Sequence, residues 1–305
     1  MSAITLLDGG MGRELKRMGA PFRQPEWSAL ALIEAPEFVS RAHEAFVVAG
    51  AEIITTNTYA LVPFHIGEAR FNAEGRSLAR RAGELARAVA DRSSRPISVA
   101  GSLPPPCGSY RGEWFDAARA RPIVQTLIDA LRGQVDLWLA ETLSRIAEAE
   151  LVRELIGPAA DPGAKPLWLS FTIEDAAPSG VTPRLRSGEA VAEAAAAAVR
   201  LGAEALLFNC SQPEMMGAAV TEARRILQGA GPAGAAMRMG VYANAFPPVD
   251  ASVAEANVEL NAIRADLTPS AYCDWARDWA ERGASIIGGC CGIGPEHIAA
   301  LRAAF

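Results

Sequence analysis

One unit recurs along this 305-residue chain: a short apolar run, a polar or Gly-rich turn, then an Ala-rich amphipathic stretch. Eight runs have strand character, at 4–7, 52–56, 97–100, 136–140, 166–171, 205–208, 239–242 and 285–287. They are short and mostly unbroken by polar residues, as expected of parallel strands buried on both faces. Amphipathic segments follow them at Pro36–Ala49, 72–91, 117–133, 144–156, 187–201, 213–227, Pro269–Arg282 and Pro295–Ala304. Pro36, Pro213, Pro269 and Pro295 stand at first helical positions, where a missing N–H costs nothing. The phrases VAGAEII, VRLGAEALL and AERGASII each end a helix on a glycine (Gly50, Gly202, Gly283), add a small residue and enter a strand. Eight such alternations predict an α/β fold: a single (β/α)8 TIM barrel spanning residues 1–305. A doubly wound open sheet is the competing architecture, and the lack of a GxGxxG turn after the first strand counts against it. The Gly/Ala segment 229–236 reads as a loop, and no Pro/Gly/Ser-rich linker divides the chain.

Half of the residues are hydrophobic and 21% are charged, which suits a large packed core. The formal net charge is −6, with no basic stripe, so nucleic acid is not an expected partner. No run of 18 uncharged apolar residues predicts a membrane span, and the N-terminal residues do not resemble an export signal. A cytoplasmic location and small-molecule substrates are therefore expected.

Active sites of such barrels lie at the carboxyl ends of the strands. At those ends stand Asp8-Gly9-Gly10, Thr56-Asn57-Thr58-Tyr59, Gly101-Ser102, Glu141-Thr142, Asn209-Cys210-Ser211 and Gly288-Gly289-Cys290-Cys291. Five cysteines without an export signal point to metal or thiol chemistry rather than disulfides. Cys210 ends the sixth strand and Cys290-Cys291 end the eighth, so three sulfurs are placed to meet across one intervening strand. Three protein ligands and an open fourth position are the catalytic form of a zinc site. Three thiolates already offset the 2+ charge, so such a site favours holding a substrate thiolate over making hydroxide. Cys107 and Cys273 read as buried filler.

These motifs carry a resemblance. DGGMGREL at the start, FNCS in the middle and GASIIGGCCGIGPEHI at the end are similar to the homocysteine S-methyltransferase family, with further likeness at PEWSALALIEAPEFV, AGAEIITTNTY and VDLWLAETL. The resemblance implies a zinc-dependent enzyme that moves a methyl group from a small sulfonium or ammonium donor to homocysteine, forming methionine. It implies Cys210, Cys290 and Cys291 as the Zn2+ ligands. It further implies Asp8 and Glu141 as partners of the substrate ammonium, Gly9, Gly10 and Asn209 as substrate contacts, and Trp27 and Tyr59 in the donor pocket. The residues themselves agree: strand-end carboxylates suit an ammonium, and backbone N–H groups beside glycines suit a carboxylate. Asp8 also reads as a turn residue, and Glu141 as a helix cap in competition with Ser144.

Aromatic faces attract the cationic donors that leave as neutral molecules, which adds Tyr110 and Trp114 to the rim candidates. S-methylmethionine is the first expected donor, ahead of S-adenosylmethionine and betaine. Three features depart from the family: the proline run in GSLPPPCGSYRGEWF, Ala243 in place of a proline after strand seven, and Thr142 where some relatives carry a tyrosine. His65 reads as an exposed loop residue, His297 as a surface or cap residue and His43 as structural. Other classes remain open: a non-catalytic zinc or thiol amino-acid binding barrel, methyl transfer to another thiol or selenol such as selenocysteine, or a metal-free lyase. A Schiff-base version is disfavoured, since neither Lys16 nor Lys165 stands at a strand end.

Overall fold

A computed structural model describes residues 3–175, 182–247 and 262–305. Strands β1 (Thr5–Leu6), β2 (Ile53–Thr55), β3 (Ser98–Leu103), β4 (Leu137–Leu143), β5 (Leu167–Phe171), β6 (Ala205–Asn209), β7 (Arg238–Tyr242) and β8 (Ile286–Ile287) all fall on the expected runs. Every pairing is parallel, in the order β1-β8-β7-β6-β5-β4-β3-β2. A further parallel bridge joins Leu7 to Ile53, with Asp8 N–H donating to the Ile53 carbonyl at 3.0 Å, so the sheet closes on itself. This is the (β/α)8 barrel.

The helices are α1 (Met11–Arg17), α2 (Ser28–Glu34), α3 (Pro36–Ala49), α4 (Pro63–Ile66), α5 (Glu68–Arg92), α6 (Ala117–Leu131), α7 (Ile146–Ile156), α8 (Val191–Arg200), α9 (Pro213–Gly229), α10 (Gly231–Ala236), α11 (Pro269–Arg282) and α12 (Pro295–Ala304). The proline-started α3, α11 and α12 have the bounds read from the sequence. Gly50, Gly202 and Gly283 are left-handed, with φ of 118°, 61° and 116°. The segment read as a loop at 229–236 instead contains α10. It is one short Ala/Gly turn, too brief to show an apolar period.

Side chains along each strand alternate between two cores. Trp138, Ala140, Leu169, Leu206 and Phe208 face the helices, together with Phe46, Leu127 and Trp279. Ile53, Ala100, Leu137, Leu139, Trp168, Leu207 and Ile286 fill the barrel interior. Continuing that inward series by two residues reaches Ser102, Glu141, Ser170 and Asn209. A polar layer thus caps the apolar interior at the carboxyl end, where barrel active sites lie.

Candidate metal and substrate site

Glu141 stands at the barrel mouth beside an irregularity. The β4–β5 register shifts between Ala140 and Leu143, and Thr142 takes a positive φ of 59°. A bulge of this kind re-aims a side chain at a strand end. Glu141 is buried, with one carboxylate oxygen accepting from Ser102 Oγ and the other from Tyr242 OH at 3.2 Å. It does not cap the next helix. Glu148 does so, accepting from the N–H groups of Ser144 (2.7 Å) and Arg145 (3.1 Å). Asp8 is also buried and accepts from Thr55 N (2.7 Å) and Thr55 Oγ1 (3.0 Å), while the position before α1 is Gly10. Burial pushes both Asp8 and Glu141 up to about 7, with the charge of Glu141 contributing part of the rise at Asp8. Two desolvated carboxyl groups within each other's field form a site that a cation would relieve.

The three cysteines meet. The sulfurs of Cys210, Cys290 and Cys291 all lie within 4.8 Å of one another, with Cys210 buried and the other two partly exposed. Thiolates around a tetrahedral zinc at about 2.3 Å stand roughly 3.8 Å apart, so the donor set fits a soft divalent metal. Hydrogen bonds from the Cys290 and Cys291 thiols hold Cys210 well below the usual thiol range. The same bonds push Cys290 and Cys291 up.

The backbone brings these sulfurs together through the chain that follows β7. Cys290 N donates to the Ala243 carbonyl at 2.9 Å, Asn244 N to the Ser211 carbonyl at 3.1 Å, and Ala245 N to the Cys291 carbonyl at 2.8 Å. Residues 243–245 therefore join the two cysteine-bearing loops from between. A proline at 243 or 245 would lack one of the N–H groups used here, since Ala243 N donates to Tyr272 OH at 3.1 Å. Gly10 closes the other side. A Cβ on Gly10 would stand 2.5 Å from the Cys290 carbonyl and 3.1 Å from the Cys291 Cα. Its N–H donates to the Ile293 carbonyl at 2.9 Å, so it contributes close approach rather than an open amide. A side chain on Gly9 would collide with the same carbonyl and with Phe46.

Asn209 was expected against the substrate, but the structure uses its amide inside the protein. Its oxygen accepts from Thr142 N (2.9 Å) and Ser170 Oγ (2.7 Å), and its nitrogen donates to Thr142 Oγ1 (2.9 Å). This clamp ties the β4 bulge to the residue before Cys210. Cys210, Thr142, Tyr110 and Trp27 are the non-glycine residues with positive φ among those described, and strained backbone of this sort concentrates at functional sites.

Tyr59 lies at the same mouth. Its hydroxyl is 2.7 Å from Ser109 Oγ, and burial followed by the charge of Cys210 raises its pKa well above the usual phenol value. Trp27 opens α2 on the rim, edge-on to Phe22 at 5.9 Å, and its neighbour Ser28 accepts from Asn57 Nδ2 at 3.0 Å. His65, read as exposed, is buried in α4, where Nδ1 donates to the Pro25 carbonyl at 3.2 Å and the ring lies 6.2 Å from Tyr59. His297 is buried rather than on the surface and acts as the expected cap, accepting from Gly294 N at 3.2 Å. His43 is fully buried, and burial pushes its pKa down to about 4. Trp114 is half exposed beneath Arg111. The sequence reading missed Thr55 and Tyr242 as carboxylate partners, and Tyr110 as a neighbour of the cysteines, its hydroxyl being 2.8 Å from Cys210 Sγ. Period-two counting up each strand would have found Tyr242, whereas a loop residue such as Tyr110 has no period to follow.

Residues 5–305 match the sequence model of the family described as homocysteine S-methyltransferase. The chain belongs to the homocysteine S-methyltransferase family. It is 30% identical to the homocysteine S-methyltransferase of Escherichia coli K12, over 98% of this chain and 94% of that protein. It is 26% identical to the selenocysteine methyltransferase of Astragalus bisulcatus, over 96% and 90%. Among solved structures, the metallated form of the Escherichia coli homocysteine methyltransferase MmuM is similar with a TM-score of 0.75 and 29% identity, covering 99% of this chain and 96% of that one. No helix among the described residues is long and apolar enough to cross a membrane.

Proposed function

We propose that this chain is a zinc-dependent S-methyltransferase that moves a methyl group from a small sulfonium or ammonium donor, S-methylmethionine first, to homocysteine, forming methionine. One observation carries the reading: three sulfurs within 4.8 Å of one another share a barrel mouth with two buried carboxyl groups. Cys210, Cys290 and Cys291 would hold the ion. When bound, zinc supplies Lewis acidity that lowers the pKa of a thiol beside it.

The remaining work falls to the chain. Asp8 and Glu141 receive the substrate ammonium, whose charge offsets the burial that raises them. With the amino-acid end held, the homocysteine sulfur faces the cysteine loops. The thiol proton passes to solvent. The sulfur lone pair then forms the new S–CH3 bond as the methyl bond to the donor breaks, and that electron pair leaves with the donor, which becomes neutral. Alignment of sulfur, methyl and leaving group is the part a rigid barrel mouth supplies. Trp27 and Tyr59 offer aromatic surface on the donor side.

The test is direct. Purified protein is expected to carry one zinc and to form methionine from homocysteine and S-methylmethionine, faster than with S-adenosylmethionine or betaine. Cys290→Ala and Cys291→Ala are expected to lose the metal and at least about 100-fold in rate, since loss of a mere outer partner of a metal ligand already costs about 10–100-fold. Zinc-loaded protein whose Cys291→Ala variant keeps full activity would rule the reading out. Likeness to the Astragalus selenocysteine methyltransferase favours selenocysteine as the second acceptor to assay.

A further inference from the structure

Tyr110 comes from the β3–α6 loop, yet its hydroxyl lies 2.8 Å from the Cys210 sulfur, 100 positions away in sequence. It adopts φ of 64°, a strained value for a bulky side chain. Something must hold it there, and the structure supplies Arg186. The guanidinium carbon stands 4.6 Å from the Tyr110 ring centroid. Arg186 is itself locked: it pairs with Asp175 at 2.8 Å, with both side chains almost wholly buried, and donates through Nε to Thr172 Oγ1 at 3.0 Å.

That lock is built on the turn that carries Cys210. Asp175 accepts from Gln212 N at 3.0 Å, and Ser211 Oγ lies 3.0 Å from Thr172 Oγ1. Arg186, Asp175 and Thr172 thus fix the phenol relative to the sulfur from both ends. A cation over the ring face withdraws electron density from the phenol and makes its O–H a better donor.

We propose that Tyr110 is a positioning residue for the metal site: held by Arg186, its hydroxyl donates to the Cys210 sulfur and sets how much electron density that sulfur gives a bound metal. The inference rests on the metal reading above. A thiolate bound to a metal carries no proton, so in the loaded site the phenol is the donor and the sulfur the acceptor. Outer hydrogen bonds of this kind tune a metal through its ligands. Of the three sulfurs, Cys210 is the one given such a partner from outside the cluster among the described residues. The sulfurs would therefore be unequal donors.

Cobalt(II) in place of zinc makes this visible, because its sulfur-to-metal charge-transfer bands report the energy of the sulfur lone pairs. The wild-type protein is expected to bind one cobalt with thiolate bands. In Tyr110→Phe, which removes one oxygen, those bands are expected to move to longer wavelength at unchanged stoichiometry. Tyr110→Leu, which also vacates the stack on Arg186, is expected to move them the same way. Bands that stay put in both Tyr110 variants would overturn the role of Tyr110 while leaving the metal site standing. Wild-type protein without thiolate bands would overturn the metal site and this inference together.

Discussion

At the scale of the residue, the site is defined by groups kept away from their comfortable charge. Asp8, Glu141 and the helix-capping Glu148 are each raised to about 7 by burial. A carboxyl group raised in the folded state adds stability below its unfolded pKa, near 4, and loses it as pH climbs through about 7. Ligand-free protein is therefore expected to become less stable to urea as pH rises from about 4.5 to 7, and to level off above that. A bound ammonium should restore most of that loss at the upper end. Binding runs with the opposite slope. Methionine, whose thioether does not titrate, is expected to bind more weakly below pH 7, by up to about tenfold per pH unit for each carboxyl group that must ionise to hold its ammonium, measured calorimetrically. Glu141→Gln is expected to weaken methionine binding at pH 8 and to flatten this slope. A slope identical to wild type would remove Glu141 from the ammonium site.

Elements place these residues, and two placements are open to test. Tyr272 on α11 donates to the Gly288 carbonyl at 2.7 Å and receives Ala243 N at 3.1 Å, so one helix side chain spans the ends of β7 and β8. Tyr272→Phe leaves a buried N–H and carbonyl without this partner and is expected to cost about 1–3 kcal/mol in urea unfolding. Gly10→Ala is expected to leave the fold in place by circular dichroism but to weaken metal binding at least tenfold, because its methyl group meets the Cys290 carbonyl. The sequence was most legible where covalent chemistry punctuates it. Pro36, Pro269 and Pro295 mark helix starts that the structure keeps to the residue, and glycines mark three helix ends. It was least legible where an element is a single turn, as in α4 and α10. Neither could the β4 bulge be seen in VDLWLAETL, since Thr142 within it is bonded to Asn209, which lies 67 positions away.

Over the whole molecule, the convergence of strand ends was the legible part of the site: parallel order in a closed barrel brings residues from β1, β4, β6 and β8 to one mouth. What sequence order could not supply was the direction of polar groups within the mouth. Asn209 shows this, an expected substrate contact whose amide turns inward to Thr142 and Ser170. His65 shows it too, expected in solvent but buried against Pro25.

The joining of β6 and β8 loops through residues 243–245 has a mechanical consequence. Cys210 and Cys290 are 80 positions apart, and a metal held by both would act as a clasp across that span. Closing a loop of this length removes on the order of 4 kcal/mol of chain freedom from the unfolded state if the link survives there, and binding only to the folded form stabilises it in any case. A chelator is thus expected to lower the melting temperature of the loaded protein, and proteolysis is expected to enter first at the seam between the sixth and eighth strands. An ion that readied the substrate sulfur would then also serve as the latch of its own container.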